Sequence, residues 1–311
     1  MIHIFLSFWV ISALFIIREK KIVRLIIHLG IFSLISSVCF LLFAAPDVAM
    51  AEAVVSGFST IIFIVCFEKY YSLVDASEIS EKTVSGSLPS RIFPVCFTLL
   101  LAVLFIWCIP DNTTSTYLKD QYISKFLHDV GGENAVTAIY LGYRMYDTMF
   151  EALMLLCSIV AVVHLSWYEE THVTEGKPSD IRESDIANIT IRIICPILLL
   201  FSVYLIVNGS ISPGGGFQGG VVIASFFVCR YMIHDIFDMR IDKVIKLEKL
   251  VYIGIIVLSV YFIVMGAEVV YLPISKNMYL IIMNLLVGLK VACGFIIVFY
   301  RFIVFERREE M

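Results

Sequence analysis

The sequence predicts an all-α integral membrane protein of about nine transmembrane helices, set in three groups of three, two and four (3+2+4). Three observations predict it. Sixty per cent of the 311 residues are apolar, and the mean hydropathy is +0.92. Apolar runs of about 20 residues recur along the chain, each able to cross a hydrocarbon core of about 30 Å. Basic residues segregate between alternate loops, as the positive-inside rule requires of a membrane protein.

In order, the helices are expected at Ile2 to Ile17, Ile22 to Ala44, Asp47 to Cys66, Ile92 to Ile109, Asp147 to Trp167, Ile193 to Val207, Gly219 to His234, Val251 to Leu272 and Met278 to Ile303. No basic stretch precedes the first and Arg18 follows it at once, so it reads as a spanning helix and not a cleaved signal. One set of loops and helix ends holds eighteen Lys and Arg residues, the other only Lys119, Lys125, Arg144 and Lys276. An odd helix number with this asymmetry predicts the N-terminus outside and the C-terminus cytoplasmic. Two polar linkers, Glu68 to Arg91 and Glu169 to Arg192, divide the chain into segments 1–73, 88–168 and 186–311.

The eight cysteines fall in or beside apolar segments without C-x-x-C spacing, and read as small buried residues. No HExxH, paired-cysteine metal motif or nucleophile beside a base points to chemistry of the chain's own. Nothing points to nucleic acid.

Ionisable groups inside spans are the informative residues, because one near the bilayer centre costs about 2.5–3.5 kcal/mol and such groups usually mark a pathway. Asp47 opens the third helix, where an acid also suits the helix dipole. Glu52 lies more than a turn deeper, with Ser56 and Ser59 continuing its face. Arg144, Asp147 and Glu151 share one face at i, i+3 and i+7, framed by Tyr140, Tyr143 and Tyr146 as interfacial belt residues. The first two of these make an ion pair; Glu151 has no second basic partner in its helix. Glu268 lies near the end of its helix, within snorkelling reach of the surface. Lys290, near the middle of the last helix with Asn284 in the same span and Gly294 one turn on, should face a buried carboxylate or a hydrated path. His28 and His164 read as packing residues. Together the acids describe a funnel that attracts cations.

Between two apolar runs stands Pro213, Gly214, Gly215, Gly216, Phe217, Gln218, Gly219, Gly220. Glycine density permits positive φ and close backbone approach. The order is not that of a phosphate-binding loop, and a tight turn between membrane helices is the simpler reading.

Three motifs resemble one family. Ala45-Pro46-Asp47-Val48-Ala49-Met50-Ala51-Glu52-Ala53 resembles the small D-like subunit of membrane-bound hydrogenases, also found in the C-terminal part of the large A subunit of Mrp-type sodium/proton antiporters. Asn134 to Ile139, with Tyr143-Arg144-Met145-Tyr146-Asp147-Thr148 and Glu151, resembles the neighbouring E-like segment. The glycine-rich turn resembles the antiporter B subunit. The resemblance implies a fusion of a D-like three-helix segment (1–73), an E-like two-helix segment (88–168) and a B-like four-helix domain (186–311). It implies a membrane subunit of a complex exchanging sodium for protons, in the prokaryotic cytoplasmic membrane. It places Asp47, Glu52, Asp147 and Glu151 on the ion route, joined on the grounds of depth by Lys290 and Glu268. Transient sodium is expected at Asp47, Glu52 and Glu151, with no tightly bound metal and no cofactor in this chain. Implied partners are antiporter-like and small membrane subunits of the same complex, lipid, and in a redox-driven version a cytoplasmic hydrogenase or reductase module with iron-sulfur, nickel-iron or flavin centres.

There are departures. Ser210 and Ile211 stand where the B subunit usually has His-Asn, which weakens the case for a titrating role of the loop. Phe150 replaces the usual glycine before Glu151. The last helix reads Asn284-Leu285-Leu286-Val287-Gly288-Leu289-Lys290-Val291, closer to the hydrogenase-associated version. The competing expectation is a non-conducting scaffold, whose buried charges would pair tightly in dry protein.

Overall fold

The computed structural model describes residues 2–71, 96–104, 107, 117–165, 185–233, 240–266 and 275–303. Glu268 and most of both linkers lie outside the described residues, as do both ends of the expected helix at 92–109, of which residues 96–104 and 107 are helical. The chain divides into a larger unit, Met1–Lys69 with Phe126–Met311, and a smaller one, Tyr70–Lys125, which contributes helical residues 96–104 and the start of a polar helix, Tyr117–Asp129.

Ten helices are labelled: α1 (Ile2–Arg18), α2 (Ile22–Leu42), α3 (Pro46–Tyr71), α4 (Tyr117–Asp129), α5 (Ala135–Ala138), α6 (Met145–Leu165), α7 (Asp185–Asn208), α8 (Gly216–Ile233), α9 (Ile241–Gly266) and α10 (Lys276–Ile303). A π-helical turn, Ile139–Tyr143, separates α5 from α6. Among the described residues there is no strand, and six helices are long and apolar enough to cross a membrane. The chain is an all-α, multi-pass membrane protein.

Two starts differ from the expected ones by more than a turn. α7 begins at Asp185 and not at Ile193, because its polar first turns continue the helix with Arg192 Nε donating to Asn188 Oδ1 at 3.0 Å. α9 begins at Ile241 and not at Val251, because the charged stretch Asp242 to Lys249 is amphipathic and one face of it enters the core.

α2 and α3 form a hairpin closed by a tight turn. Ala45 N donates to Phe40 O and Ala44 N to Leu41 O, both at 3.0 Å, with Ala44 in the left-handed region at φ 59°. This is a Schellman closure without the usual glycine, and it costs roughly 1–2 kcal/mol at Ala44. Pro46 then occupies the first position of α3, where its missing N–H is not needed. The two helices meet through a small-residue face of α2: Ser37 Oγ donates to Ala49 O at 2.7 Å, Ser33 faces Glu52, and Gly30 lies against Thr60. α1 closes on α2 through Trp9, which stacks on Phe32 at 5.2 Å and donates to Ser36 Oγ at 2.6 Å.

α10 is the most enclosed of the six long apolar helices, with 56% of its apolar window buried. One cluster gathers Phe58 of α3, Ile159 of α6, Val221 and Val228 of α8 and Ile297 of α10. The other gathers Val130, Leu141, Ala152 of α6, Ile255 of α9 and Tyr279, Leu280 and Met283 of α10.

The glycine-rich stretch is half turn and half helix. The sequence pattern starts the helix at Gly219, whereas α8 begins at Gly216. Gly214 and Gly215 adopt φ of 152° and 143°, which side chains disfavour. Gly216, Gly219 and Gly220 instead let helices touch: a Cβ on Gly220 would meet Gly288 O of α10 at 2.5 Å, and one on Gly219 would meet Ser202 O of α7 at 3.0 Å.

Gly220→Ala is expected to destabilise the purified chain by about 1–3 kcal/mol, because the new methyl meets backbone on α10 and only a helix shift can relieve it. Gly57→Ala has nothing within 4 Å and should be neutral or stabilising by up to about 1 kcal/mol through helix propensity. Melting the two variants in detergent beside the wild type measures both.

Candidate functional site

Two of the expected features, Asp47 and the glycine-rich turn, meet at the end of the bundle where α3 begins and α7 ends. The turn before Pro46 sets Asp47 in the first turn of α3, pointing inward and only 8% exposed. Its Oδ1 accepts from Gly214 N at 3.1 Å and from Asn134 Nδ2 at 3.2 Å. Three stretches far apart in the chain thus meet at one carboxylate oxygen.

Asn134 ties the knot. Its Oδ1 caps α5 by accepting from Val136 N at 3.0 Å, the usual service of an N-cap asparagine. Its amide donates toward Asp47, Gly209 O at 3.2 Å and Ser212 O at 3.1 Å, so two N–H groups serve three oxygens. Ser210 O accepts from Glu133 N at 2.8 Å and Asn134 N at 3.0 Å, and Thr137 Oγ1 donates to Gly209 O at 2.6 Å. The acceptors Asp47, Gly209 and Ser212 form an electronegative pocket, and the Asn134 amide occupies it.

Tyr140 is the point where this knot reaches α10. Its spacing predicts a place in an interfacial belt; the structure turns its hydroxyl inward. The π-helical turn does this, with Arg144 N donating to Ile139 O at 2.8 Å and Thr148 Oγ1 donating to Tyr140 O at 2.6 Å. The Tyr140 hydroxyl donates to Asn284 Oδ1 at 3.0 Å, and Gly216 N donates to the same oxygen at 3.1 Å. Burial, opposed by the Thr137 contact and reinforced by the negative fields of Asp47 and Glu151, pushes the phenol up to about 12. It therefore stays a protonated donor, in electrical contact with acids from two helices.

The other expected residues divide. Glu52 is half-buried and accepts a hydrogen bond from Ser33 Oγ of α2. Arg144 and Asp147 form the anticipated ion pair, Nη2 to Oδ2 at 2.5 Å, largely exposed. Glu151 lies on the outside of α6, between exposed Phe150 and Met154. Pro213 and Phe217 flank the loop residues already placed. Lys290, 1% exposed, pairs with Glu248 of α9, 0% exposed, and its Nζ lies 4.8 Å from the centre of the Tyr252 ring. Among the described residues, no group of three or more His, Cys, Asp or Glu side chains comes together as a metal site.

Sequence reasoning missed Glu248, which counts there with the charged loop before the span. A signal existed: Glu248 follows Ile241 and precedes Ile255 by seven residues each, a register that places it among core positions. Asn134 stood in a motif without a role, and Ser33 carried no signal at all.

Comparison with known proteins matches two stretches of the chain to family models. Residues 7–71 match a family described as the D subunit of MBH, and residues 186–297 one described as "Domain related to MnhB subunit of Na+/H+ antiporter". The chain is 27% identical over 183 residues to the Na(+)/H(+) antiporter A1 subunit of Staphylococcus haemolyticus (strain JCSC1435), covering 58% of this chain and 22% of that one. It is 29% identical over 159 residues to the Na(+)/H(+) antiporter A subunit of Bacillus subtilis (strain 168), covering 50% of this chain and 18% of the relative. The chain thus spans about a fifth of the length of these curated relatives. Its fold matches a chain of the Mrp complex from Dietzia sp. DQ12-45-1b with a TM-score of 0.75, at 16% identity, over 96% of this chain and 34% of that one. It also matches a chain of the membrane-bound sulfane sulfur reductase (MBS), an archaeal respiratory membrane complex, with a TM-score of 0.56 at 21% identity, over 68% of this chain and 97% of that one.

Asn134→Asp keeps the cap on α5 but sets a second carboxylate against Asp47. It should cost more stability than Asn134→Ala, which loses about 0.5–2 kcal/mol of capping. The defect should shrink in acid, where one of the two carboxyls takes a proton and their repulsion ends. Melting temperatures of both variants across pH check this; equal losses at all pH would mean the side chains are not in contact.

Proposed function

We propose that this chain, a membrane subunit carrying the D-like and B-like parts of an Mrp-type module, contributes part of a sodium/proton translocation path. The observation that carries the reading is the Asp47 knot: a buried carboxylate at the start of a D-like helix, hydrogen-bonded to the B-like glycine loop and to Asn134. In this reading 1–73 is D-like, 88–168 E-like and 186–311 B-like, with the N-terminus outside and the C-terminus cytoplasmic. Asp47, Glu52, Asp147, Glu151, Lys290 and Glu268 belong to the path, and sodium visits Asp47, Glu52 and Glu151 only in transit. The Asn134 amide would have to yield to the ion, which suits transient occupancy rather than tight binding.

Partners follow from exposure. A carboxylate on the outside of a membrane helix is costly unless protein or water covers it. Exposed Glu151 therefore supports a neighbouring antiporter-like or small membrane subunit packed on α6. The named relatives are sodium/proton antiporter subunits, and one structural neighbour belongs to a reductase. Any iron-sulfur, nickel-iron or flavin centre, together with a hydrogenase or reductase module, belongs to other chains.

One observation favours the scaffold instead. The Lys290–Glu248 pair is enclosed by protein, as a purely structural charge pair would be.

Sodium-driven proton movement by the intact complex in inverted membrane vesicles separates the two. Asp47→Asn and Glu151→Gln should each lower it by roughly tenfold or more, equivalent to about 1.4 kcal/mol or more on the barrier, while the subunits still co-purify. Wild-type rates in both variants would support the scaffold.

A further inference from the structure

We propose that Glu248 is a proton-transfer site and Lys290 its relay partner, the free carboxylate oxygen Oε2 being the atom that takes up the proton. This rests on the path reading above, and it adds a residue on α9 and a direction of chemistry.

The pair sits where neither side chain reaches the surface. Glu248 Oε1 accepts from Lys290 Nζ, but Oε2 is fully buried and has no protein partner. A structural ion pair is favourable when every oxygen and hydrogen is answered. Here one oxygen is left to a water or a proton. A second bare polar atom lies on the same helix as Lys290. Asn284 is fully buried, its Oδ1 held by Tyr140 and Gly216, while its Nδ2 has no protein partner. Asn284 stands six residues before Lys290, roughly 9 Å along α10. The buried Ser259 Oγ of α9 is likewise without a partner. Polar groups that are buried and unanswered by protein are the usual stations of ordered water. Asp47 bonds Gly214 N, Asn284 bonds Gly216 N two residues on in the same turn, and Lys290 bonds Glu248 further along α10; ordered water at the bare atoms Asn284 Nδ2, Ser259 Oγ and Glu248 Oε2 would have to bridge the gaps between them. The titratable groups whose fields meet the pair are Tyr252 on α9 and Cys293 on α10.

The step balances. A hydronium on a water chain gives its proton to Oε2, an O–H bond forms and water is left behind. Glu248 becomes neutral, and the ammonium of Lys290, having lost its counter-charge, breaks an N–H bond and passes that proton to the next water. Transfer from the carboxyl to the amine restores the charged pair, and one proton has crossed it.

The test uses the intact complex with the double variant Glu248→Gln, Lys290→Gln, which removes both charges together and leaves no buried ion alone. A structural pair should tolerate it. A relay should not: the variant is expected to co-purify with its partners and to lose tenfold or more of sodium-driven proton movement. Wild-type transport by this variant would overturn the proposal. Infrared titration of the wild-type complex is the second measurement. A buried-carboxyl band should grow on acidification, move in heavy water, and shift in Glu248→Asp; no titrating band would equally overturn the relay. Asp47→Asn keeps the two readings apart. If it blocks transport and the double variant does not, the path stands and the relay falls. If both variants transport normally, both fall.

Discussion

The rest of the structure depends on satisfying the backbone of a glycine-rich turn away from water. Residues 209–216 have little side chain with which to cover their own peptide groups, and buried peptide groups without partners are costly. Asp47 and Asn134 supply what is missing, one accepting from Gly214 N and the other donating to Gly209 O and Ser212 O. The hydrogen bond between Gly214 N and Asp47 reduces both the cost of burying the carboxylate and that of burying the turn. This knot holds the starts of α3 and α5 and the turn between α7 and α8 at one place.

From there α10 carries the arrangement inward. Its face toward α8 is opened by Gly288, and Gly216 and Gly220 approach so closely that the backbones touch. Such contact fixes Asn284 against Gly216 N and leaves Lys290 deep between helices. A lone ammonium there would be strongly unfavourable, and Glu248 on α9 supplies its counter-charge. The unanswered oxygen of Glu248 is the feature that a structural role alone does not explain.

Much of this was legible in the residues. Apolar length named the helices, because crossing hydrocarbon demands it whatever the neighbours are. The depth of Lys290 demanded a buried partner, and Glu248 is that partner. Asp47 was marked by the motif around it, since its first-turn position is only what the helix dipole asks for, and Arg144 with Asp147 were marked by spacing. Other features were hidden. Glu248 sits among lysines and reads as a solvated charge until its face is known. Tyr140 reads as a belt residue because the π-helical turn that swings it inward adds one residue to a helical period. Gly216 reads as turn although it is helical, and the packing role of Gly216, Gly219 and Gly220 shows only once α7 and α10 are in place.

By itself the amino-acid order determined everything that depends on a single segment meeting the bilayer: the class of fold, the six long apolar helices and the need of each intramembrane charge for a reason. Only the tertiary structure decided which groups answer one another, since Asp47 meets Asn134 and Gly214 across separations of 87 and 167 residues. It also decided that Glu151 lies outside and Lys290 inside. Hydropathy follows from the transfer of one side chain from water, whereas pairing depends on the rotation and depth of two helices against each other, and that is set by the whole packed bundle.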